Sequence, residues 1–139
     1  GSGAIRCMTA ALKDAAVAPA EVGYVNLHGT ATALNDQMES IAMYEVFGSE
    51  TLCSSTKPFT GHTLGAAGAV EAGISWLALE NNADPLLPVH IWDGVVDPDL
   101  PSLKLVAPGS GLERPLRYAL SNSFAFGGNN ISLLLGRIQ

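Results

Sequence analysis

Charge is scarce in this 139-residue chain, at 14% of residues, and it leans acidic: seven Lys and Arg face thirteen Asp and Glu, a net −6. A nucleic-acid partner is therefore set aside, because gripping a phosphate backbone needs a cationic footprint. Cysteine is nearly absent. Cys7 and Cys53 lie far apart with no close-spaced metal or redox pairing, and a reducing cytoplasm is the expected compartment. No internal repeat or low-complexity tract occurs. The chain also opens "GSGAIRCM" without an initiator methionine or a disordered leader. The start is expected to be cut from something longer, a Gly-Ser-Gly expression scar being the other source.

Apolar residues, by contrast, make up 47% of the chain and glycines number 15, which suits one soluble globular domain with helices packed closely on a sheet. Ile5, Met8, Leu12 and Ala15 recur at helical spacing until Pro19 stops the pattern. "YVNLHG" reads as a strand. Asp36 with Glu39 three residues on has the form of a helix start, Met38, Ile41, Ala42 and Val46 carry that helix's apolar face, and Gly48 ends it. "TLCSST" is a second strand, and Leu64, Ala67, Val70, Ile74 and Leu77 mark a longer helix from about Thr63 to Glu80. Asn81 to Pro101, with four prolines, reads as a long ordered surface loop. "SLKLV" is a short strand, and "LRYALSNSF" and "NISLLLG" flank "AFGGN" as a β-hairpin. The expected fold is α/β with a mixed β-sheet layered with helices, its βα loops at residues 28–36 and 57–63 emerging on one side.

Strand ends of such sheets are where ligands bind, and a histidine stands at each of two. His28 opens "HGTATALND", where Gly29 permits a sharp turn and Thr30 and Thr32 offer hydroxyls. His62 follows the second strand, after Lys57 and Gly61. A lone histidine serves structure more often than chemistry, but two leaving neighbouring strand ends can aim N–H groups at one oxygen and stabilise an enolate or oxyanion. A metal reading lacks a third ligand at a recognisable spacing. His90, in the proline-rich segment, is expected to be a surface or packing residue. Glu71 lies in an apolar stretch where an unpaired carboxylate is costly to bury, and Lys57 is its natural partner, able to help fix the histidines' tautomers; a solvated Glu71 is the plainer alternative.

The small residues of Gly61 to Gly73 invite two other readings. A phosphate-binding loop requires Lys followed by Ser or Thr after its last glycine, whereas Lys57 precedes these. A membrane span requires about twenty predominantly apolar residues, and this run is shorter and contains Glu71. Close packing of helix on sheet is the expectation instead. At the hairpin tip, Gly127 and Gly128 beside Phe124 and Phe126 suit either a mobile gate bringing a backbone N–H to a ligand or an ordinary glycine-rich turn.

"HGTATALND", "KPFTGHTLGAAGAVE" and "SNSFAFGGNN", in this order, resemble the β-ketoacyl-acyl-carrier-protein synthases, the elongating condensing enzymes of fatty-acid and polyketide synthesis. The resemblance runs from the first helix to the C-terminus and covers the last third or so of a family chain. It implies a thiolase-like fold, of which this chain is most of the second half of a five-layer α-β-α-β-α sandwich. The family's nucleophilic cysteine belongs to the other half, in a context resembling neither "IRCMT" nor "TLCSS", so Cys7 and Cys53 are read as packing residues.

The implied reaction is acyl transfer to that cysteine, decarboxylation of a malonyl thioester, and Claisen condensation to a 3-oxoacyl thioester. By resemblance His28 and His62 bind the malonyl thioester carbonyl, Lys57 and Glu71 are the supporting pair, Thr30 and Thr32 bind the phosphopantetheine arm, and Phe126 with Gly127 supplies an oxyanion donor and gate. Ala125 replaces a usual glycine and Asn129 a common threonine. No cofactor or metal is implied; the expected partners are acyl carrier protein, the N-terminal half and a second copy of the full chain, with no membrane. A scaffold subunit that shapes an acyl tunnel without catalysing is the competing expectation.

Overall fold

A computed structural model gives the fold, and the structure describes residues 1–80 and 86–137. The helical spacing at the N-terminus becomes α1 (Ser2–Asp14), which buries Ala4, Met8 and Leu12 on one stripe. Strand β1 (Val22–Asn26) follows, and then α2 (Ala33–Phe47), which begins three residues before the expected Asp36. Its N-cap is Thr32, whose hydroxyl accepts from the Asn35 amide, and Gly48 at φ 69° closes it. Glu39 is thus no capping residue; it sits in the second turn and points inward.

β2 (Leu52–Ser54) leads into one helical turn, α3 (Lys57–Thr60), and a 3-10 turn at Leu64–Ala66 delivers the chain to α4 (Ala67–Glu80). The expected long loop has no helix or strand over residues 86–101, and its first part, Asn81 to Pro85, lies outside the described residues. β3 (Lys104–Leu105), β4 (Tyr118–Phe124) and β5 (Asn130–Gly136) complete a five-stranded sheet of order β3-β2-β1-β4-β5. All neighbours are parallel except β4 and β5, which form the expected antiparallel hairpin. The sheet is mixed, as the sequence predicts.

Because side chains alternate across a strand, Val25, Cys53 and Leu120 point to one face and Tyr24, Leu52 and Ala119 to the other. The first face is covered by α1 and α2 through Met8, Leu12, Ala42 and Met43, the second by α4 through Ala78 and Leu79. One expectation fails here. Of the apolar series Leu64, Ala67, Val70, Ile74 and Leu77, only Ala67 is buried, Ile74 is half-buried and the other three are exposed, whereas the stripe of α4 that meets the sheet is Ala67, Glu71, Ser75, Ala78 and Leu79. Close packing needs glycine only at Gly68, where a Cβ would stand 3.1 Å from the Ser123 hydroxyl; at Gly65 and Gly73 it would meet nothing within 4 Å.

Leu120 is fully buried in β4, between β1 and β5. Leu120→Ala should lower the unfolding free energy by about 2–5 kcal/mol, the range for core leucine truncations, read from the urea midpoint at unchanged m-value.

Candidate active site

The chain leaves β1 still tied to β2 by the Leu27 amide on the Ser54 carbonyl (2.9 Å), and turns sharply at Gly29, φ 46°. A Cβ there would lie 2.4 Å from that of Ser55, so the turn accepts only glycine. The Ser55 hydroxyl donates to the Gly29 carbonyl at 2.8 Å. From α2, the buried Glu39 carboxylate reaches back to the same turn: Oε1 accepts from the His28 amide (2.7 Å), and Oε2 from the Gly29 amide (2.8 Å) and Asn35 Nδ2 (3.2 Å). Burial raises the Glu39 pKa, and the two amide donors oppose the rise. Sequence reading missed this role although a signal existed. Glu39 lies three, four and seven residues from Ala42, Met43 and Val46, a carboxylate on the apolar face.

Lys57 heads α3 and Glu71 sits on the sheet-facing stripe of α4; both side chains are buried and form the expected ion pair. Lys57 Nζ also donates to the His28 carbonyl oxygen. The expectation that this pair acts on the histidines thus takes a particular form, since Lys57 grips the main chain of His28 and not its imidazole. Burial raises the Glu71 pKa, while the hydrogen bond and charge of Lys57 pull it down.

The two imidazoles meet above this pair. The rings of His28 and His62 lie edge to face, with centroids 5.6 Å apart at 86°, and Phe124 flanks His28 at 6.1 Å. His28 is half-buried and His62 exposed. Burial, and then the charges of Lys57 and His62, lower the His28 pKa from 6.5 to about 4, so this ring is neutral near pH 7. Among the described residues its buried Nδ1 has no hydrogen-bond partner, leaving Nε2 as the nitrogen able to meet a ligand. A neutral N–H donor beside a second imidazole can hold one oxygen as negative charge develops on it.

Thr30 and Thr32 line the mouth of the turn, their hydroxyls 3.3 Å apart, and Thr32 doubles as the α2 cap. The hairpin tip is a 3-10 turn at Phe126–Gly128 with Gly127 at φ 75°. It is closed by the Ala125 amide on the Asn129 carbonyl (3.0 Å) and by Asn129 Nδ2 on the Phe126 carbonyl (3.4 Å). The Phe126 ring is wholly exposed, while Phe124 is buried against His28. Cys53 is buried, its thiol pushed up to about 12 by desolvation, and Cys7 is half-buried on α1; both fit the packing reading.

Residues 1–88 match the family described as "Beta-ketoacyl synthase, C-terminal domain". The chain belongs to this family. Similar proteins include a 3-oxoacyl-[acyl-carrier-protein] synthase 2 of Coxiella burnetii, 41% identical over 95% of this chain and 31% of its own length. The synthase of the same name from Rhizobium meliloti is 43% identical over 99% and 32%. Among solved structures, the ketosynthase ApeO in complex with its chain length factor ApeC, from Xenorhabdus doucetiae, superposes with a TM-score of 0.85 at 51% identity, over 97% of this chain and 33% of that one. A β-ketoacyl synthase from Burkholderia phymatum gives 0.83 at 38%, over 99% and 33%. The chain thus spans about a third of the length of the relatives it matches, and its fold is thiolase-like, as the resemblance implies.

The lowered pKa of His28 makes this ketosynthase domain sensitive to acid in a defined window. Between pH 6.5 and about 4 the unfolded chain binds a proton at His28 that the native state refuses, so stability is full above the upper value and falls as pH drops toward the lower. An imidazole NMR titration should place the His28 midpoint near 4, and His28→Gln should flatten the slope of unfolding free energy against pH across that window.

Proposed function

We propose that this domain is the C-terminal catalytic portion of a 3-oxoacyl-[acyl-carrier-protein] synthase, supplying His28 and His62 for malonyl thioester decarboxylation and Claisen condensation in fatty-acid or polyketide elongation. One observation carries the reading: a neutral, half-buried His28 edge-on to His62 at the strand ends, over the buried Lys57–Glu71 pair. The malonyl thioester carbonyl oxygen accepts N–H bonds from both imidazoles. The C–CO2 bond breaks, CO2 leaves, and its electron pair becomes an enolate whose oxygen these donors stabilise. The enolate carbon then attacks an acyl thioester carried on a cysteine in the N-terminal half, and collapse of the tetrahedral adduct expels the thiolate.

In this reading Lys57 and Glu71 hold the His28 main chain, Thr30 and Thr32 bind the phosphopantetheine arm, and the Phe126 amide with Gly127 forms an oxyanion donor on the gate. No cofactor is required; the partners are acyl carrier protein, the N-terminal half and a second full chain, in the cytoplasm. Two features support a missing companion layer. The chain spans a third of its relatives, and α4 leaves Trp76 55% and Leu77 67% exposed on its outer side, apolar surface of the kind that marks interaction sites. The second reading, a non-catalytic partner, draws on the chain length factors named with two similar structures. The presence here of both histidines and the ion pair beneath them favours the enzyme.

In the protein carrying this chain together with its N-terminal half, His28→Ala or His62→Ala should slow CO2 release from malonyl-acyl carrier protein by about 10²–10³-fold, the cost of losing an oxyanion donor, with acylation of the cysteine preserved. Undiminished CO2 release in both variants would sink the reading. The 139-residue chain alone should form no 3-oxoacyl product, and robust product formation by it would show that the nucleophile lies within it.

A further inference from the structure

Among the described residues of the proline-rich segment, His90 makes a side-chain hydrogen bond outside its own loop. His90 is anchored by its amide on the Val106 carbonyl (2.8 Å), and its Nδ1 accepts from the Ser55 amide at 3.0 Å. Ser55 in turn donates its hydroxyl to the Gly29 carbonyl at 2.8 Å and packs against the bare Cα of Gly29. The amide of Lys57 reaches the same hydroxyl at 3.4 Å. A continuous chain of contacts therefore runs from residue 90 to the turn that presents His28.

We infer that His90 is a positioning residue that fixes the His28–Gly29 turn through Ser55, and that this hold is released when Nδ1 is protonated. The inference rests on the reading of His28 as a catalytic donor. The chemistry is simple: an imidazole nitrogen can accept the Ser55 amide only while it is unprotonated. Acceptance at Nδ1 also fixes the neutral tautomer with its proton on Nε2. Burial lowers the His90 pKa and Asp36 opposes the change, so the acceptor form prevails at neutral pH and an acid-side partner waits nearby. Other charged groups line the same cleft: Glu39 from α2, Lys57 and His62 from the connection after β2, and the three aspartates of its own segment, Asp93, Asp97 and Asp99.

Three side chains hold the turn from outside it and divide the work, with Lys57 on the His28 carbonyl. Glu39 binds the His28 and Gly29 amides, and Ser55, pinned by His90, binds the Gly29 carbonyl. Loss of the His90 contact frees the Ser55 amide and loosens the hold on the Gly29 carbonyl only, Lys57 keeping that of His28. The fold survives, and the aim of His28 suffers.

The test uses the full protein carrying this chain, with His90→Asn, whose Oδ1 takes the place of Nδ1 and cannot be protonated near neutral pH, and His90→Leu, which removes the acceptor. Hydrogen exchange, corrected for its intrinsic pH dependence, is followed by mass spectrometry in peptides spanning Ser54–Thr56 and Leu27–Thr30 from pH 5 to 8. In wild type, exchange in both peptides should accelerate toward pH 5. His90→Asn should keep the protection without that dependence, and His90→Leu should exchange about tenfold faster than wild type at pH 8, as expected for one lost hydrogen bond, the gap closing as pH falls. Malonyl decarboxylation should show about a tenfold lower kcat in His90→Leu at unchanged KM, as for a partner that only orients, and rescue in His90→Asn. Equal exchange in wild type and His90→Leu at pH 8, or a wild-type pH dependence kept by His90→Asn, overturns the inference. Absence of decarboxylation in wild type instead overturns the functional reading, while the exchange result still decides the role of His90.

Discussion

The buried ion pair of Lys57 with Glu71 is the constraint on which the site depends. Two charges taken out of water cost several kcal/mol each, of order, and only excellent geometry with further hydrogen bonds offsets that. Lys57 obtains the further bond from the His28 carbonyl. The pair therefore ties three elements at once: the turn after β1, the start of α3 after β2, and α4 on the far face of the sheet. Truncating either partner leaves a buried charge uncompensated, which makes these positions intolerant in a way that most of α4 is not.

The His28 peptide is consequently held at both ends. Its N–H is taken by Glu39, from the helix layer on one face, and its C=O by Lys57, backed by Glu71 from the other. With the backbone fixed from two layers, the Nε2 edge of the ring is left to meet a ligand. Electrostatics follow from the same arrangement. Glu39 spends its charge on amides, so the charges acting on His28 are those of Lys57 and His62, both opposing protonation after burial has already lowered the pKa. The neutral state of the His28 ring is thus tied to its burial and to the Lys57 that clamps its main chain.

The β-α order and the two strand-end histidines were legible because they depend on local spacing: helical periodicity, turn residues and short β-branched or aromatic runs. The Lys57–Glu71 pair was legible because a lone carboxylate in an apolar stretch demands a cation. Glu39 was not, because Asp36 and Glu39 imitate a helix-start signature, while the real cap is Thr32 and the real partners of Glu39 lie ten and eleven residues back across a turn. His90 was read as a surface or packing residue for a related reason. Its partner Ser55 is 35 residues away, and nothing in the spacing of a proline-rich segment announces a contact of that range.

The failure on α4 is the most informative. A helix beside one sheet is expected to turn its large apolar residues inward, yet here the inward stripe is small or polar except for Leu79, and Val70, Trp76 and Leu77 face out. Small inward residues let Gly68 approach Ser123 and leave room for the Glu71 carboxylate to reach Lys57, which a stripe of leucines would block. The buried ion pair thus dictates the inner face. The outward residues Val70, Trp76 and Leu77 carry apolar surface on the side of α4 away from its sheet, of the kind that marks interaction sites.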